Sequence, residues 1–304
     1  VKHENFRDKL ILLFISILQF KIVSFYNPGI PSVETIENKK KSSKFFYKSL
    51  LNLYSFNFLN TVLYRYFLSL ITNKRMAILG NNSDKNIILK KYPFNKVISG
   101  SSWDYSSFLR KKDLINKKVL LNKKYALHLD GCGPAFVGDE ALTNRNGKYY
   151  HPETNERWYS RLNNFFKFVE EKYNLIYVIA AHPRTNPKLV SRLFDGRESF
   201  KGNTIELVKD SLMVSTRGST AISYAAIYGK PIVFLTSNAY LSWEKHITDM
   251  ANTLNFWHKK QVNIDSNEYK NNFEIPQVNK KLCEKYIEFF ISSSQEPNHL
   301  IIRK

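Results

Sequence analysis

Between residues 125 and 236 short unbroken apolar runs alternate with segments in which apolar residues recur every three or four positions. Tyr125–Asp130 (YALHLD), Ile176–Ala181 (IYVIAA) and Pro231–Thr236 (PIVFLT) read as strands. The last two are apolar throughout, as strands covered on both faces of a sheet must be. Leu212–Ser215 reads as a shorter strand. Arg157–Tyr173 brings Trp158, Leu162, Phe165, Phe166 and Val169 onto one side, the signature of an amphipathic helix. Pro187–Phe194 is a short helix. Thr204–Asp210 is another, with Thr204 or Asn203 as its cap and Glu206 in its first turn. Ala221–Tyr228 is a small-residue helix that Gly229 stops, with Pro231 following. Strand, helix, strand, helix, strand over 176–236 predicts a parallel sheet with helices on its faces. Ligands of such sheets bind beyond the carboxyl ends of the strands.

The first 124 residues carry a weaker pattern. Leu10–Val23 is the longest apolar run, and it includes Gln19 and Lys21. It is shorter than the roughly 20 apolar residues that cross a bilayer, so it reads as a buried helix or strand–helix pair. Residues 31–44 read as an exposed loop, and 45–72 as one or two core helices. Met76–Leu79 and Val97–Ile98 read as short strands, the second preceding a polar SGSSWDYSS stretch. Asn279–Ser292 reads as a helix.

Composition narrows the classes. Of 304 residues, 43% are hydrophobic and 14% aromatic, which excludes a disordered chain. Two cysteines, Cys132 and Cys283, exclude a disulfide scaffold. Together with the lack of an export signal they make the cytoplasm the expected compartment. The net charge is +20, from 46 basic and 26 acidic residues. Residues 1–124 hold 23 basic and 7 acidic, whereas 125–304 hold 23 and 19. Two accounts compete: an anionic partner for the first part, or the Lys- and Asn-rich bias of AT-rich coding. No recognition helix, RNP or zinc motif accompanies the charge, so nucleic acid is not the expected partner. The seven histidines are scattered, with no metal-ligand spacing, and no metal is expected.

Three polar clusters fall at strand ends. Gly218-Ser219-Thr220 is a glycine turn opening a helix, where main-chain N–H groups and two hydroxyls suit a phosphate. The competing reading is a plain helix cap. His182-Pro183-Arg184 follows IYVIAA; the imidazole could donate to a phosphate oxygen, and Arg184 could add charge or hold a carboxylate. Glu206 could accept from ribose hydroxyls or serve its helix dipole. Asp130, in HLDGCGP, is the candidate base, and Gly131 and Gly133 permit close approach of a substrate. Asp139 and Glu140 are second candidates.

The motifs LHLD (127–130), AAHPRT (180–185), TIELVKDS (204–211) and RGSTAISYAAIYGKPIVF (217–234) resemble those of bacterial sialyltransferase-like enzymes of the GT-B type. These transfer sialic acids, other nonulosonic acids or Kdo from CMP-activated donors in surface polysaccharide synthesis. The resemblance covers about 125–236. It implies an α/β, GT-B-like fold of two facing Rossmann-type domains with a C-terminal helix crossing back. The expected parts are an acceptor-side domain at 1–150, a nucleotide-sugar domain at 151–278, and a helix and tail at 279–304 that return to the first domain. It implies Asp130 as the catalytic Asp, His182 and Pro183 at the CMP phosphate, Ser219 and Thr220 at the same phosphate, and Glu206 at the ribose. No cofactor beyond the CMP-sugar donor is implied. The first motif departs from the family in being Leu-Asp-Gly, so Asp139 stays open as the base. Other readings are a CDP-polyol phosphotransferase, a UDP-sugar transferase, a basic nucleic-acid-binding protein or a noncatalytic capsule-assembly scaffold. The expected acceptor is an anionic or lipid-linked glycan, with the basic half at the inner face of an anionic membrane.

Overall fold

The computed structural model describes residues 22–26, 75–80, 96–111, 121, 123–131, 133–135, 153–183, 185–241 and 261–292. The chain forms two compact units, one of 1–28, 34–106 and 288–304, the other of 29–33 and 107–287. The expectations for 31–44 and 45–72, and for Leu10–Val23 up to residue 21, lie outside the described residues. No helix among the described residues is long and apolar enough to cross a membrane.

The first unit contains a three-stranded parallel sheet in the order β1 (Ile22–Tyr26), β2 (Arg75–Leu79), β3 (Lys96–Ser99). Ala77, Ile78 and Leu79 are buried, as the apolar run predicts. The polar stretch after β3 turns into a helix, α1 (Trp103–Lys111), whose first turn is closed by the Ser102 hydroxyl accepting from the Tyr105 N–H at 3.2 Å. At the other end of the chain the Ser102 N–H donates to the Ile291 carbonyl at 2.7 Å, and Ser101 bridges Ser292.

The second unit is built on six parallel strands: β4 (Tyr125–Leu129), β5 (Ile176–Ala180), β6 (Ser199–Phe200), β7 (Val214–Thr216), β8 (Ile232–Thr236) and β9 (Gln261–Asn263). Their spatial order is β6-β5-β4-β7-β8-β9. The chain therefore winds outward from β4 to one edge, returns beside β4 at β7, and winds outward again. This is the doubly wound Rossmann-type arrangement, and its switch point lies between β4 and β7. The α/β class with parallel sheets is as the sequence predicts.

α2 (Asn155–Tyr173) joins β4 to β5. It starts two residues before the apolar pattern because Thr154 caps it, accepting from the Arg157 N–H at 3.2 Å, and it ends at Asn174 in the left-handed region. Trp158, Leu162, Phe165, Phe166 and Val169 are all buried in the core on this face of the sheet. Phe166 stacks on Tyr177 of β5 at 4.0 Å. Each such ring contributes about 2–3 kcal/mol of burial. α3 (Pro187–Leu193), α4 (Thr204–Asp210) and α5 (Ile222–Ile227) complete the crossovers near β5–β8. Gly229, at φ +59, stops α5 where the sequence places the stop. α6 (Asn238–Leu241) and α7 (Tyr269–Asn272) flank β9.

Two boundaries differ from expectation. The strand leading to Asp130 is expected in a first domain ending at 150, yet β4 pairs with both β5 and β7 inside the second sheet. Its own residues give the reason: all five of YALHL are buried, and a strand covered on every side belongs inside a sheet. The division falls at 106/107. The helix expected at 279–292 is α8 (Lys280–Tyr286) followed by a π-helical turn, Ile287–Ile291. The chain passes from the second unit to the first at 287/288, inside that element.

Candidate active site

The switch point brings together three loops that follow β4, β5 and β7. Register sets them side by side: Leu129 pairs with Ala180 on one flank and with Thr216 on the other. The Thr216 hydroxyl seals the second flank by donating to the Leu129 carbonyl at 3.1 Å. The next residue on each strand begins a site loop: Asp130, Ala181 before His182, and Arg217 before Gly218.

Asp130 is 9% exposed. Its N–H donates to the Ala180 carbonyl at 3.0 Å, and its Oδ2 accepts from the His182 main-chain N–H at 3.5 Å. Burial raises the carboxyl to about 7, against the opposing pull of that N–H. His182 and Thr185 close a turn, the Thr185 N–H and hydroxyl both donating to the His182 carbonyl at 3.0 and 2.7 Å. Pro183 is exposed at its tip. Arg184, Cys132, Asp139 and Glu140 lie outside the described residues.

Gly131 marks the closest approach. A Cβ there would stand 3.2 Å from the Gly218 carbonyl oxygen and 3.7 Å from Ser219 Cβ. The acid loop and the Gly-Ser-Thr turn are therefore packed backbone to backbone. Ser219 Oγ accepts from the Ala221 N–H at 3.3 Å, which leaves its proton to donate. The Thr220 side chain is exposed, and its carbonyl accepts from the Ser223 hydroxyl at 2.9 Å. α5 has only six residues and its cap, Ala221, makes no side-chain bond. The hydroxyls of 219 and 220 are thus the turn's distinctive donors. Arg217, 3% exposed, stands one position beyond the Leu129–Thr216 pair.

Glu206 makes its ion pair with α1. On α4 it lies 4.0 Å from Lys111 at the end of α1, and its Oε2 is buried without a hydrogen-bond partner among the described residues. Burial, with Glu206 and Asp210 adding to it, raises the Tyr228 phenol to about 12.

Two buried polar networks escaped the sequence reading. His128 Nδ1 lies 3.1 Å from Ser215 Oγ, which also accepts from the Tyr177 hydroxyl at 3.3 Å. Burial holds this imidazole neutral, at about 3, among Phe166 and Phe194. The second network ties the loops after β8 and β9 to the start of α2. Ser237 donates to Glu153 at 3.1 Å, Arg161 pairs with Glu153 at 3.6 Å and with Asp265 at 2.5 Å, and Asp265 accepts from the Asn238 N–H at 2.9 Å. Its one sequence signal is the carboxylate beside the Thr154 cap. No group of three or more His, Cys, Asp or Glu that could hold a metal occurs among the described residues.

No protein-family model and no curated protein matches this chain. Solved structures with similar folds include a UDP-GlcNAc 2-epimerase from Methanocaldococcus jannaschii in complex with UDP-GlcNAc and UDP. It is 14% identical over 92% of this chain and 70% of that one, with a TM-score of 0.44. MurG of Acinetobacter baumannii is 12% identical over 78% and 68%, with a TM-score of 0.39. KpsC of Thermosulfurimonas dismutans, a beta Kdo 2,7 transferase, is 13% identical over 60% and 76%, with a TM-score of 0.26. These likenesses are of general architecture.

Proposed function

We propose that this chain is a glycosyltransferase that moves a sialic-acid-like residue, a nonulosonic acid or Kdo, from a CMP-activated donor to a glycan acceptor. The observation that carries the reading is the convergence of Asp130, the His182 turn and the Gly218–Ser219 turn at the switch point. Each supplies one need of the reaction. Departure of CMP leaves a phosphate that wants donors, which the His182 ring and the Ser219 and Thr220 hydroxyls supply. The acceptor hydroxyl must lose a proton, and a carboxyl that burial raises to about 7 is a stronger base than an ordinary carboxylate. Gly218 and Pro183 shape the two turns. By its place next to His182 and Pro183 in the sequence, Arg184 would add charge at the donor or hold its carboxylate. Glu206 keeps an unspent acceptor, Oε2, for a ribose hydroxyl, and would have to turn from Lys111 to use it. An anionic or lipid-linked glycan suits the basic chain as acceptor.

The test is incubation with a panel of CMP-ulosonic acids, with slow donor hydrolysis scored by mass spectrometry. One donor should be consumed, and His182→Ala should weaken both CMP binding and turnover. If CMP and all CMP-sugars fail to bind while UDP or CDP does, the donor assignment is wrong.

A further inference from the structure

We propose that nucleotide binding at this site takes up a proton on Asp130, so that the bound phosphate and this carboxyl are not charged together. The inference rests on the phosphate placement argued above. Asp130 sits between the two turns that would hold the phosphate. Its Oδ2 contacts the His182 main chain, and the residue after it packs on Gly218 and Ser219. A phosphate accepting from the His182 ring and from Ser219 Oγ comes to rest beside a buried carboxyl. A negative phosphate beside a buried carboxyl disfavours the ionised carboxylate still further.

The surroundings supply little relief. From β5 comes His182, whose N–H makes one long hydrogen bond to the carboxyl. From β4 itself comes His128, two residues back and held neutral. From β7 come Ser215, bonded to His128, and Arg217 one position beyond the strand pair. From α2 comes the Tyr159 hydroxyl, which faces Gly133. Among the described residues no cation forms an ion pair with Asp130, so none of them holds it ionised in this way against an arriving anion. Burial alone leaves it about half protonated at neutral pH. The phosphate drives it the rest of the way. Transfer, which needs the ionised form, is consequently displaced to alkaline pH in the donor complex.

Titration calorimetry with CMP, at pH 7 in two buffers of different ionisation enthalpy, counts the protons exchanged. Wild type should take up roughly half a proton more per CMP than Asp130→Asn. Protons exchanged by the CMP phosphate and by every other group are common to both proteins, so the difference isolates Asp130. At pH 8 the Asn variant should bind CMP about ten-fold more tightly than wild type, and at pH 5.5 equally. Wild type alone gives a second readout if the variant does not fold. Phosphate ionisation, with a pKa of about 6, is complete above pH 7, so a fall in CMP affinity between pH 7 and 8.5 belongs to the protein. Equal proton uptake in the two proteins, or a flat affinity above pH 7, overturns the inference and leaves the functional reading standing. CMP binding to neither protein overturns both.

Discussion

Asp130, just beyond β4, and His128 within it stand two residues apart, and burial pushes them in opposite directions. The Asp130 carboxyl rises to about 7, so between roughly pH 4 and 7 the folded chain holds a proton that the unfolded chain has lost. Stability contributed by this group is full at low pH and is lost as pH climbs through 7. His128 falls to about 3, so below about pH 6.5 the unfolded chain gains the proton, and stability is lost as pH falls. The two slopes oppose each other between pH 4 and 6.5. Asp130→Asn removes one of them. The variant should match wild type near pH 4 and exceed it at pH 8 by a few kcal/mol, read as a higher thermal midpoint, while transfer drops about 10²–10⁴-fold. A midpoint difference independent of pH would contradict the assignment. The glycines give a second test. Gly131→Ala presses a methyl against the Gly218 carbonyl, so CMP binding should weaken more than stability. Gly133→Ala meets the Tyr159 hydroxyl at 2.6 Å and should cost about 1–3 kcal/mol. Tyr159→Phe removes that oxygen and should restore part of the loss, which a denaturation double-mutant cycle measures. Asp130, His182 and Ser219 were legible as residues because each follows a run whose strand character is plain. Arg217 stood inside a motif and drew no role. The Glu153 network was invisible, because its partners lie as far as residue 265.

At the scale of elements, α2 is the main support beneath the site. Its pattern was readable because five large apolar residues repeat at helical spacing on one side. Phe166 touches Tyr177, His128 and Phe194 together. Phe166→Ala should therefore cost about 3–5 kcal/mol by chemical denaturation. Glu170 binds the Arg197 guanidinium through both oxygens, at 3.0 and 2.8 Å, and also accepts the Tyr177 N–H at 2.8 Å. Glu170→Ala should lose about 1.5–3 kcal/mol, and the loss should resist added salt because Arg197 is largely covered. β6 and β9 were missed for a physical reason. They have two and three residues at the sheet edges, too few for a strand period to show. α1 was hidden because its buried positions include Tyr105 and Ser106 rather than an aliphatic stripe.

For the whole molecule, the parallel α/β architecture could be read from 176–236, but the allegiance of β4 could not. Its pairing with β7 joins residues almost ninety positions apart, and local pattern carries no trace of that. Moving the boundary also changes the charge picture. The unit of 1–28, 34–106 and 288–304 has 18 basic and 8 acidic residues, and the other has 28 and 18, so each carries +10. The excess charge is shared equally between the units.

The first unit draws its residues from both ends of the chain, with nearly all of the second lying between them. A ribosome therefore releases every residue of the six-stranded sheet before it delivers Ile291 and Ser292, the partners of Ser102 and Ser101. The six-stranded unit can close during synthesis, whereas the other waits with an open seam until residues 291 and 292 emerge.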